Sequence, residues 1–573
     1  MQELAYFQTV ASHMIAADRE RDEMLRAMDA MWHNRWQLPP PLQAVGWVHK
    51  VVSTDPHDAV RAGTRVLSSV APRITVQPLG GRSARSQAER IERALAWHFR
   101  NASRRRRASV LRDVVLSALL YDEVVAQVVY LPAQQQAAQW LGAGAPHAAA
   151  QRFGPFAIIV RNPQDVHVRY SDWMPEAVLL KQLMPLEEAL AFWGQALASQ
   201  LKQARPAGRG GPLRKSAAFT HVSVYDYMDT QQRTVWAVPQ SDASALADPG
   251  GTPEAGARLI LQEEHGLGFL PWAAKVGGTT LHRGSHQRIP LLASIYQSRQ
   301  WDTQNIVETL LASEVIAYAA APRLKVEGPS AEVDVDYGEP GRIVHVPPGH
   351  QLNPLAAPGL DESLARIAER VAERMGKSTV PRVLQTADFP LGAAFATLNL
   401  ATQSGIKSLT PYKELAQDAL AEVFQLMLNW VQHSQQPLEA HISQRGRSET
   451  ITLDPRKLDL SQVLIDVELT ADVPTDRMAR INAASMAVRD LGYSRERALE
   501  QIGETDAKEV MAQAEQEQLA AAQLELRKRR LLAELDGPAE PPASASRRGF
   551  DPAAGGLPPV MANPDAVAGA NTK

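Results

Sequence analysis

The sequence predicts an α+β protein that is predominantly helical. Apolar residues recur at helical spacing through most of the first 130 residues and again from about residue 358 onward. Short β-branched runs bounded by turn residues occupy the stretch between Phe153 and Val276. A second, smaller group of such runs at 321–357 stands between two long helical stretches. Helices and strands in separate blocks of one chain are typical of α+β proteins.

Length, composition and charge exclude several classes of protein. The chain has 573 residues, 45% apolar and 21% charged, as expected for a folded protein of several domains. The net charge of -3 excludes a strongly basic, bulk DNA-binding surface, because such binding needs many neutralised phosphates. There is no cysteine, which excludes disulfides, thiolate metal sites and cysteine nucleophiles. We expect no signal peptide and no membrane-spanning segment.

Two helical blocks precede the β-rich region. The segment "STDPHDAVRAGTRVLSSV" predicts a helix with Pro56 in its first turn. The segment "SQAERIERALAWHFRNASRRRRASVLRDVVLSALLYDEVV" predicts two further helices divided near Asn101.

The β-rich region predicts strands and one helix. Its strands form a meander that ends in "ARLILQEEHGLGFLPWAAKV". The helix "PLEEALAFWGQALASQLKQA" interrupts it.

Two long helices that bracket a small β unit are the most distinctive predicted feature. Residues 289–320 predict one helix of about thirty residues, roughly 45 Å long, with Pro290 in its first turn. Residues 321–357 predict three short strands separated by Pro/Gly turns. Residues 358–375 predict the returning helix, and Gly376 ends it. The arrangement is a stalk with a tip.

The remainder predicts more helix, two strands and a tail without a core. Pro390 begins a helix that reaches about Ser408, and Thr410-Pro411 restarts another. The runs "SETITLDP" and "QVLIDVELT" predict strands, and a helical block follows with starts at Thr475, Ser494 and Thr505. From Gly537 the Pro/Ala/Gly-rich tail is predicted to be disordered.

The segment Gly376-Lys377-Ser378 has the ending of a phosphate-binding loop. That loop needs a glycine five residues before Gly376 to close its turn, and Val371 stands there instead. It should also follow a buried strand, whereas a helical pattern precedes this segment. The sequence therefore argues against a nucleotide site.

Few other residues form a pattern typical of a metal site or a catalytic site. His282 and His286 are four apart, but Gly284 between them favours a loop, and no third ligand is near. The tip carries several carboxylates that favour a solvated or partner-facing strand edge over a cation site: Glu327, Glu332, Asp334, Asp336 and Glu339. We expect no catalytic residue, no metal and no cofactor.

The run Arg104-Arg105-Arg106-Arg107 is the densest basic stretch. It is compatible with contact to DNA or to an acidic partner. The interpretation that the sequence favours is a solvated helix start balanced by acidic residues elsewhere.

The order of these parts resembles the portal proteins of tailed bacteriophages over nearly all of residues 1–535. The closest matches are "STDPHDAVRAGTRVLSSVAPRITVQP", the "HGLGFLPW" strand before the first long helix, and "LGYSRERALEQIGE" near the end. None of the three is a strict signature, and the resemblance rests chiefly on architecture.

The resemblance implies a role for each region. It implies a wing at 1–288, stem helices at 289–320 and 358–375, a clip at 321–357 and a tunnel loop at 376–391. A Pro-broken helix with wing strands would fill 392–474, a crown 475–536, and the disordered tail 537–573. The implied DNA-channel residues are Lys377, Ser378, Thr379, Arg382, Gln385 and Thr386. The implied partner-binding residues of the clip are Arg323, Lys325, Glu327, Glu332, Asp334, Asp336 and Arg342.

The resemblance also implies partners and a location. The chain would form a ring, commonly of twelve subunits, at one capsid vertex of the virion, assembled in the host cytoplasm. It would meet the terminase large subunit, the neck adaptor, and the major capsid and scaffolding proteins. Double-stranded DNA would pass through with weak, non-specific contacts. Two alternatives stay open: a packaging-type ATPase and a helical scaffold or adaptor without a channel.

Overall fold

The structure is a computed structural model, and it divides into two compact units, Met1–Ser485 and Met486–Lys573. The residues that it describes are 3–45, 48–79, 82–131, 154–171, 174–203, 221–240, 257–278, 288–320, 324–327, 351–354, 362–380, 404–444, 447–470, 481, 484–489, 492–502 and 507–535. The chain is α+β and predominantly helical, which confirms the predicted fold class.

The chain begins with four helices and one strand. They are α1 (Leu4–Ala17), α2 (Arg19–Trp32), the short α3 (Pro40–Gln43), α4 (Asp55–Leu67) and β1 (Arg73–Pro78). Pro56 lies in the first turn of α4, as predicted, where its missing N–H has no helical partner to lose.

The next block corrects the prediction of two helices divided near Asn101. Helix α5 (Arg82–Arg106) continues past Asn101, and α6 (Val110–Tyr121) follows after a break at Arg107, which has a positive φ of 57°. The end of the predicted second helix is a strand, β2 (Glu123–Tyr130), because Asp122 takes the left-handed conformation and ends α6. The arginine run therefore lies at the end of a helix and not at the start of one. The helix dipole favours positively charged side chains at that end.

The predicted meander is a five-stranded antiparallel sheet in the order β4-β5-β6-β7-β8. The elements of this part of the chain are β3 (Phe156–Arg161), β4 (Val166–Ser171), β5 (Met174–Pro185), α7 (Leu186–Gln203), β6 (His221–Asp229), β7 (Gln232–Gln240), β8 (Arg258–Glu264) and β9 (Trp272–Val276). Helix α1 packs on one face through Phe7, and α7 packs on the other through Ala189.

The last strand of the predicted meander belongs to a different sheet. Strand β9 pairs with β2, and β2 also pairs with β3, so the three-stranded order is β3-β2-β9. All eight side chains of β2 are buried, as expected of a central strand covered on both faces.

The predicted helix at 289–320 is two helices. They are α8 (Ala293–Gln297) and α9 (Gln300–Ala320), separated by Arg299 with a positive φ of 52°. After α9 come β10 (Leu324–Glu327), β11 (Gln351–Pro354) and α10 (Glu362–Ser378). Helix α10 passes through Gly376 and ends at Ser378, two residues later than predicted.

Helix α11 (Thr410–Ser434) is the centre of the main core. It restarts at Thr410-Pro411, as predicted, and its buried residues pack against α6 and β2. The strands β12 (Leu438–Gln444) and β13 (Arg447–Leu453) form a hairpin, and β14 (Val463–Glu468) pairs with β1. The sequence predicted β13 and β14 but not β12.

The second unit contains two described helices, α12 (Arg495–Ile502) and α13 (Ala507–Leu535). Ser494 accepts the N–H of Arg497 at 3.3 Å and so caps α12, as its predicted role as a start requires. Among the described residues, no helix is long and apolar enough to cross a bilayer. The tail from Gly537, the pair His282 and His286, and Pro390 lie outside the described residues.

Candidate channel hairpin and its anchors

Helices α9 and α10 pack against each other and are joined through the antiparallel ladder of β10 and β11. The ladder pairs Leu324 with Pro354 and Glu327 with Gln351. Because the ladder is antiparallel, it reverses the direction of the chain between α9 and α10. We call these four elements the hairpin.

The hairpin leaves large apolar side chains uncovered. Val315 and Ile316 on α9 are 48% and 38% exposed, and Ile367 on α10 is 42% exposed. A helix in a soluble protein usually turns such residues toward a core. These three residues are candidates for a contact with another chain.

An extended segment of the N-terminal region runs along α9 and is bonded to it. The backbone N–H groups of His49, Val51 and Ser53 donate to side chains of α9 at 2.8, 3.0 and 2.8 Å. The acceptors are Ser313, Thr309 and Asn305, respectively. We call residues 48–54 the strap.

The spacing of the strap and of the helix explains the match. Two residues of extended chain advance about 6.6 Å, and four residues of helix advance about 6 Å. Successive donors at 49, 51 and 53 therefore meet acceptors at 313, 309 and 305. Asn305, Thr309 and Ser313 have no exposed surface, so these bonds are shielded from water.

Buried contacts also hold the start of the hairpin region at Ile289. Its N–H donates to Asp122 Oδ2 at 2.7 Å, and its carbonyl accepts the Tyr412 hydroxyl at 2.9 Å. Gly277 backs onto the same carboxylate, and a Cβ there would overlap Asp122. The helix-to-strand junction at Asp122 thus sets where the chain enters α8.

A cluster of buried charges continues this anchor. Arg288 Nε donates to Glu123 Oε2 at 2.7 Å, and Arg21 Nη1 lies 3.6 Å from Glu123 Oε1. Arg21 also forms ion pairs with Asp18 at 3.2 Å and with Asp22 at 2.8 Å. Glu123 is wholly buried between two guanidinium groups.

Two members of the cluster, Asp18 and Arg21, have pKa values shifted toward their charged forms despite burial. Burial opposes charge on Asp18, but a hydrogen bond with His167 and the charge of Arg21 outweigh it, so the pKa of Asp18 lies below its ordinary value. Burial also opposes charge on Arg21, but Glu123, Asp18 and Asp22 together raise its pKa. The contribution of Asp18 to stability is therefore present above its unfolded pKa and is lost as the pH falls through its folded pKa.

Asp122 behaves in the opposite way. Burial raises the pKa of its carboxyl to about 6, although the N–H of Ile289 and the charge of Arg288 favour the ionised form. The folded state therefore holds this proton more tightly than the unfolded state does. The stability contributed by the protonated form is fully present below the unfolded pKa and is lost as the pH rises through about 6.

Replacing Asp122 by asparagine should remove this part of the pH dependence. Asparagine keeps an acceptor oxygen for Ile289 and tolerates the left-handed backbone of residue 122. The free energy of unfolding of Asp122→Asn relative to wild type should rise by about 2 kcal/mol between pH 4 and pH 7. Urea unfolding at both pH values measures it, and a difference that stays constant with pH would contradict the assignment.

The predicted channel residues in the described part of the chain lie at the end of α10. Lys377 Nζ forms an exposed ion pair with Glu373 at 2.6 Å. Ser378 Oγ donates to the Arg374 carbonyl at 2.8 Å, and Thr379 Oγ1 donates to the Met375 carbonyl at 3.0 Å.

Thr379 differs from the other two. It is buried together with Met375 and Val380, so within the single chain it does not face solvent. Arg382, Gln385 and Thr386 lie outside the described residues.

Of the predicted clip residues, Lys325 and Glu327 lie on β10. In the ladder, Lys325 pairs with Asn353 and Glu327 with Gln351. The other predicted clip residues lie outside the described part of the chain: Arg323, Glu332, Asp334, Asp336 and Arg342.

The position of Gly376-Lys377-Ser378 opposes the nucleotide alternative. A phosphate-binding loop places phosphates at the start of a helix, where free N–H groups and the positive end of the dipole face the anion. This segment instead ends α10, where the dipole is negative and carbonyls are free. No group of three or more His, Asp or Glu residues within the described ranges is arranged to hold a metal ion.

The sequence did not single out the three acceptors of the strap. A signal for them was present, since Asn305, Thr309 and Ser313 are uncharged polar residues that recur every four positions along one face of the helix. Such a stripe predicts hydrogen bonds to another segment, because each polar side chain needs a partner once it is buried.

Comparison with known proteins gives weak structural likeness. No protein-family model and no curated protein matches the chain. Among solved structures, a chain of the "neck of empty GTA particle computed with C6 symmetry" aligns with 82% of this chain and 94% of that one, at 11% identity and a TM-score of 0.40. A chain of the "virion of native gene transfer agent (GTA) particle" aligns with 82% of this chain and 94% of that one, at 11% identity and a TM-score of 0.39.

A third similar chain comes from the "neck of native GTA particle computed with C12 symmetry". It aligns with 77% of this chain and 99% of that one, at 12% identity and a TM-score of 0.33. At such identities and TM-scores the likeness establishes neither a common fold nor a common function. Function has to be argued from the residues of this chain.

Proposed function

We propose that the chain is the subunit of a portal ring, which forms the DNA channel at one vertex of a phage-like capsid. The observation that carries the proposal is the hairpin: two packed helices joined by a small β ladder, with exposed apolar residues on both helices. The order of parts along the chain, a wing, a hairpin and a terminal helical unit, supports it. The role is structural rather than catalytic.

Closure of a ring accounts for the exposed apolar residues. In a head-to-tail ring, one face of each subunit meets a different face of the next, and every subunit is covered on both sides. Val315 and Ile316 on α9 and Ile367 on α10 would then be buried against neighbouring hairpins. The strap and the Glu123 cluster would hold each hairpin at a fixed angle to its wing, so that successive subunits close.

The end of α10 would approach the channel axis and lead into the tunnel loop at 376–391. Lys377 would supply a ring of positive charge, moderated by its ion pair with Glu373. Moderate charge suits a conduit, because each tightly neutralised phosphate would hold the moving DNA back. Ser378 would offer a weak polar contact next to it, with its hydroxyl already bonded to the helix.

The remaining parts take partners by their position. The ladder of β10 and β11 at the end of the hairpin would dock the terminase large subunit during packaging and the neck adaptor afterwards. The wing would meet the major capsid and scaffolding proteins, and the terminal helical unit would form the crown. The ring would reside in the virion after assembly in the host cytoplasm.

Two other functions make different predictions. A packaging ATPase would turn over ATP as a purified chain, and a portal subunit would not. A helical scaffold or adaptor would associate without leaving a central hole, which microscopy distinguishes.

Charging the hairpin surface should prevent ring assembly without unfolding the subunit. The double variant Val315→Asp/Ile367→Asp buries two carboxylates in the proposed interface, where an unpaired charge costs several kcal/mol. Light scattering after gel filtration should change from about 750 kDa, twelve subunits of 62.6 kDa, to the single subunit, with unchanged circular dichroism.

Leu79→Asp is the matched control. Leu79 is also apolar and is 67% exposed, but it lies at the end of β1 outside the hairpin. This variant should assemble like wild type. Assembly of the double variant, or its failure in the Leu79 variant as well, would contradict the proposed interface.

A further inference from the structure

A cleft between α5 and β12 carries a row of basic side chains that the proposed channel does not use. Its volume is about 300 Å³, within the range of small-ligand sites. Its lining comes from one face of α5 and from the facing strand: Arg93, Ala96, Trp97, Arg100, Asn101, Arg104, His441 and Ile442. No carboxylate contributes to this lining within the described residues.

The basic residues follow one face of the helix. Positions 93, 97, 100 and 104 recur at spacings of four, three and four, which keeps them on a single stripe. From Arg93 to Arg104 the helix rises about 16 Å. Trp97 stands within the row of guanidinium groups and gives the cleft an aromatic wall.

Two of the three arginines are available for a ligand. Arg93 is paired with Glu449 at 2.5 Å across an exposed contact. Arg100 and Arg104 are exposed, and their side chains form no ion pair or hydrogen bond within the described part of the chain. Charges of one sign brought together without counter-charges favour an anion from outside.

Two neighbouring arginines of the basic run are engaged elsewhere. Arg105 donates to the carbonyls of Phe156, at 3.2 Å, and Gly154. Arg106 forms an ion pair with Asp113 at 2.7 Å. Of the four arginines of the run, Arg104 is the one that lines the cleft.

Asn101 is the third polar residue of the cleft lining whose side chain has no partner within the described part of the chain. It is 6% exposed and makes no side-chain hydrogen bond within the described residues. A buried amide is normally hydrogen-bonded. Since it lines the cavity, a ligand there would supply the missing partner.

We propose that this cleft binds the phosphates of a nucleic-acid strand. Guanidinium groups bind phosphate oxygens through paired N–H donors, and Arg100 and Arg104, about 6 Å apart along the helix, address two phosphates in succession. An aromatic side chain among arginines is the composition of sites that hold single strands. Arg100 and Arg104 bind consecutive phosphates, and Trp97 contacts a base or sugar between them.

The spacing of Arg100 and Arg104 favours a strand over a free phosphate compound. A free phosphate brings one anionic group to the two guanidinium groups. A strand brings a phosphate to each of them, so its affinity depends more steeply on salt. Each phosphate bound from a single strand contributes about 0.7 to the slope of log K against log salt concentration.

The test measures binding of a fluorescent oligothymidine of about 12 nucleotides to the purified full-length protein, by anisotropy at roughly 50–200 mM salt. The variant Arg100→Ala/Arg104→Ala should weaken binding at least about tenfold and make the salt slope shallower by about 1.4. Arg61→Ala/Arg65→Ala is the matched control. These arginines are also exposed and four apart, but they lie on α4 and do not line the cleft.

The control variant should bind within about twofold of wild type. Equal loss in both double variants, or in Lys377→Ala, would overturn the site, because binding would then follow total charge or the channel. Competition by inorganic phosphate or by an oligoglutamate peptide at the concentration of the oligonucleotide would overturn the strand as the ligand.

Ring formation is measured on the same samples, so the two proposals fail separately. If the protein is a single subunit that binds the strand through Arg100 and Arg104, the proposed cleft is supported and the proposed portal ring is contradicted. If the protein forms a ring but its binding of the strand does not depend on these residues, the portal ring is supported and the binding cleft is contradicted.

Discussion

Replacing Glu123 by glutamine should destabilise the first unit by about 3–5 kcal/mol, the range for breaking a buried ion pair from one side. Glu123 is wholly buried and neutralises two guanidinium groups, Arg288 at 2.7 Å and Arg21 at 3.6 Å. Glutamine has nearly the same shape, so the loss comes from charge and not from a cavity. Arg21 retains Asp18 and Asp22, whereas Arg288 loses the carboxylate beside it.

Urea unfolding followed by circular dichroism measures the loss, with Glu449→Gln as the control. Glu449 also pairs with an arginine, Arg93, but both side chains are exposed. An exposed pair contributes about 0–1 kcal/mol, so this control should stay close to wild type. A Glu123 variant that is as stable as the Glu449 variant would show that the cluster does not anchor the hairpin.

Removing the acceptors of the strap should release it from α9. In the triple variant Asn305→Ala/Thr309→Val/Ser313→Ala, the buried N–H groups of the strap lose their partners, at a cost of about 1–3 kcal/mol for each unsatisfied group. We expect the strap to detach before the domain unfolds. Hydrogen exchange at His49, Val51 and Ser53 should accelerate by at least about a hundredfold.

Thr303→Val is the matched control for the strap. Its hydroxyl also bonds a backbone carbonyl, that of Arg299, but this bond is exposed and lies within the helix region itself. Its exchange pattern should equal that of wild type. Unchanged exchange in the triple variant would mean that the strap is held by contacts other than these three side chains.

Long periodic segments of the sequence predicted the fold well, and breaks inside them were missed. The fold class, the helix after Thr54, the restart at Thr410-Pro411 and the start after Ser494 agree with the structure. Each has a residue whose chemistry marks a boundary. The division of residues 289–320 was not predicted, because no residue typical of a helix end stands there. Arg299 takes a left-handed conformation, for which a glycine or an asparagine would have been the usual sequence signal.

The strand β2 was missed for a related reason. The segment from Val114 to Val129 is apolar on both sides of Asp122 and Glu123, and each half suits either a buried helix or a buried strand. The switch occurs at Asp122, whose side chain is held by Ile289 from far along the chain. Local propensity cannot report a contact of that kind.

The candidate site divides in the same way. The hairpin was predictable, since helical spacing and Pro/Gly turns mark its parts in the sequence. The anchors were not, because Glu123 with Arg288 and the strap with α9 are pairs distant in sequence. The cleft was predictable only in part. The sequence singled out the arginine run, but only the structure shows that Arg104 and Arg100 line the same cleft.

Electron microscopy of the purified full-length protein tests the central claim most directly. We expect closed rings with a hole through the middle and narrow projections on one side, built from about twelve hairpins standing next to one another. Compact particles of 62.6 kDa at every concentration, or assemblies without a central hole, would contradict it.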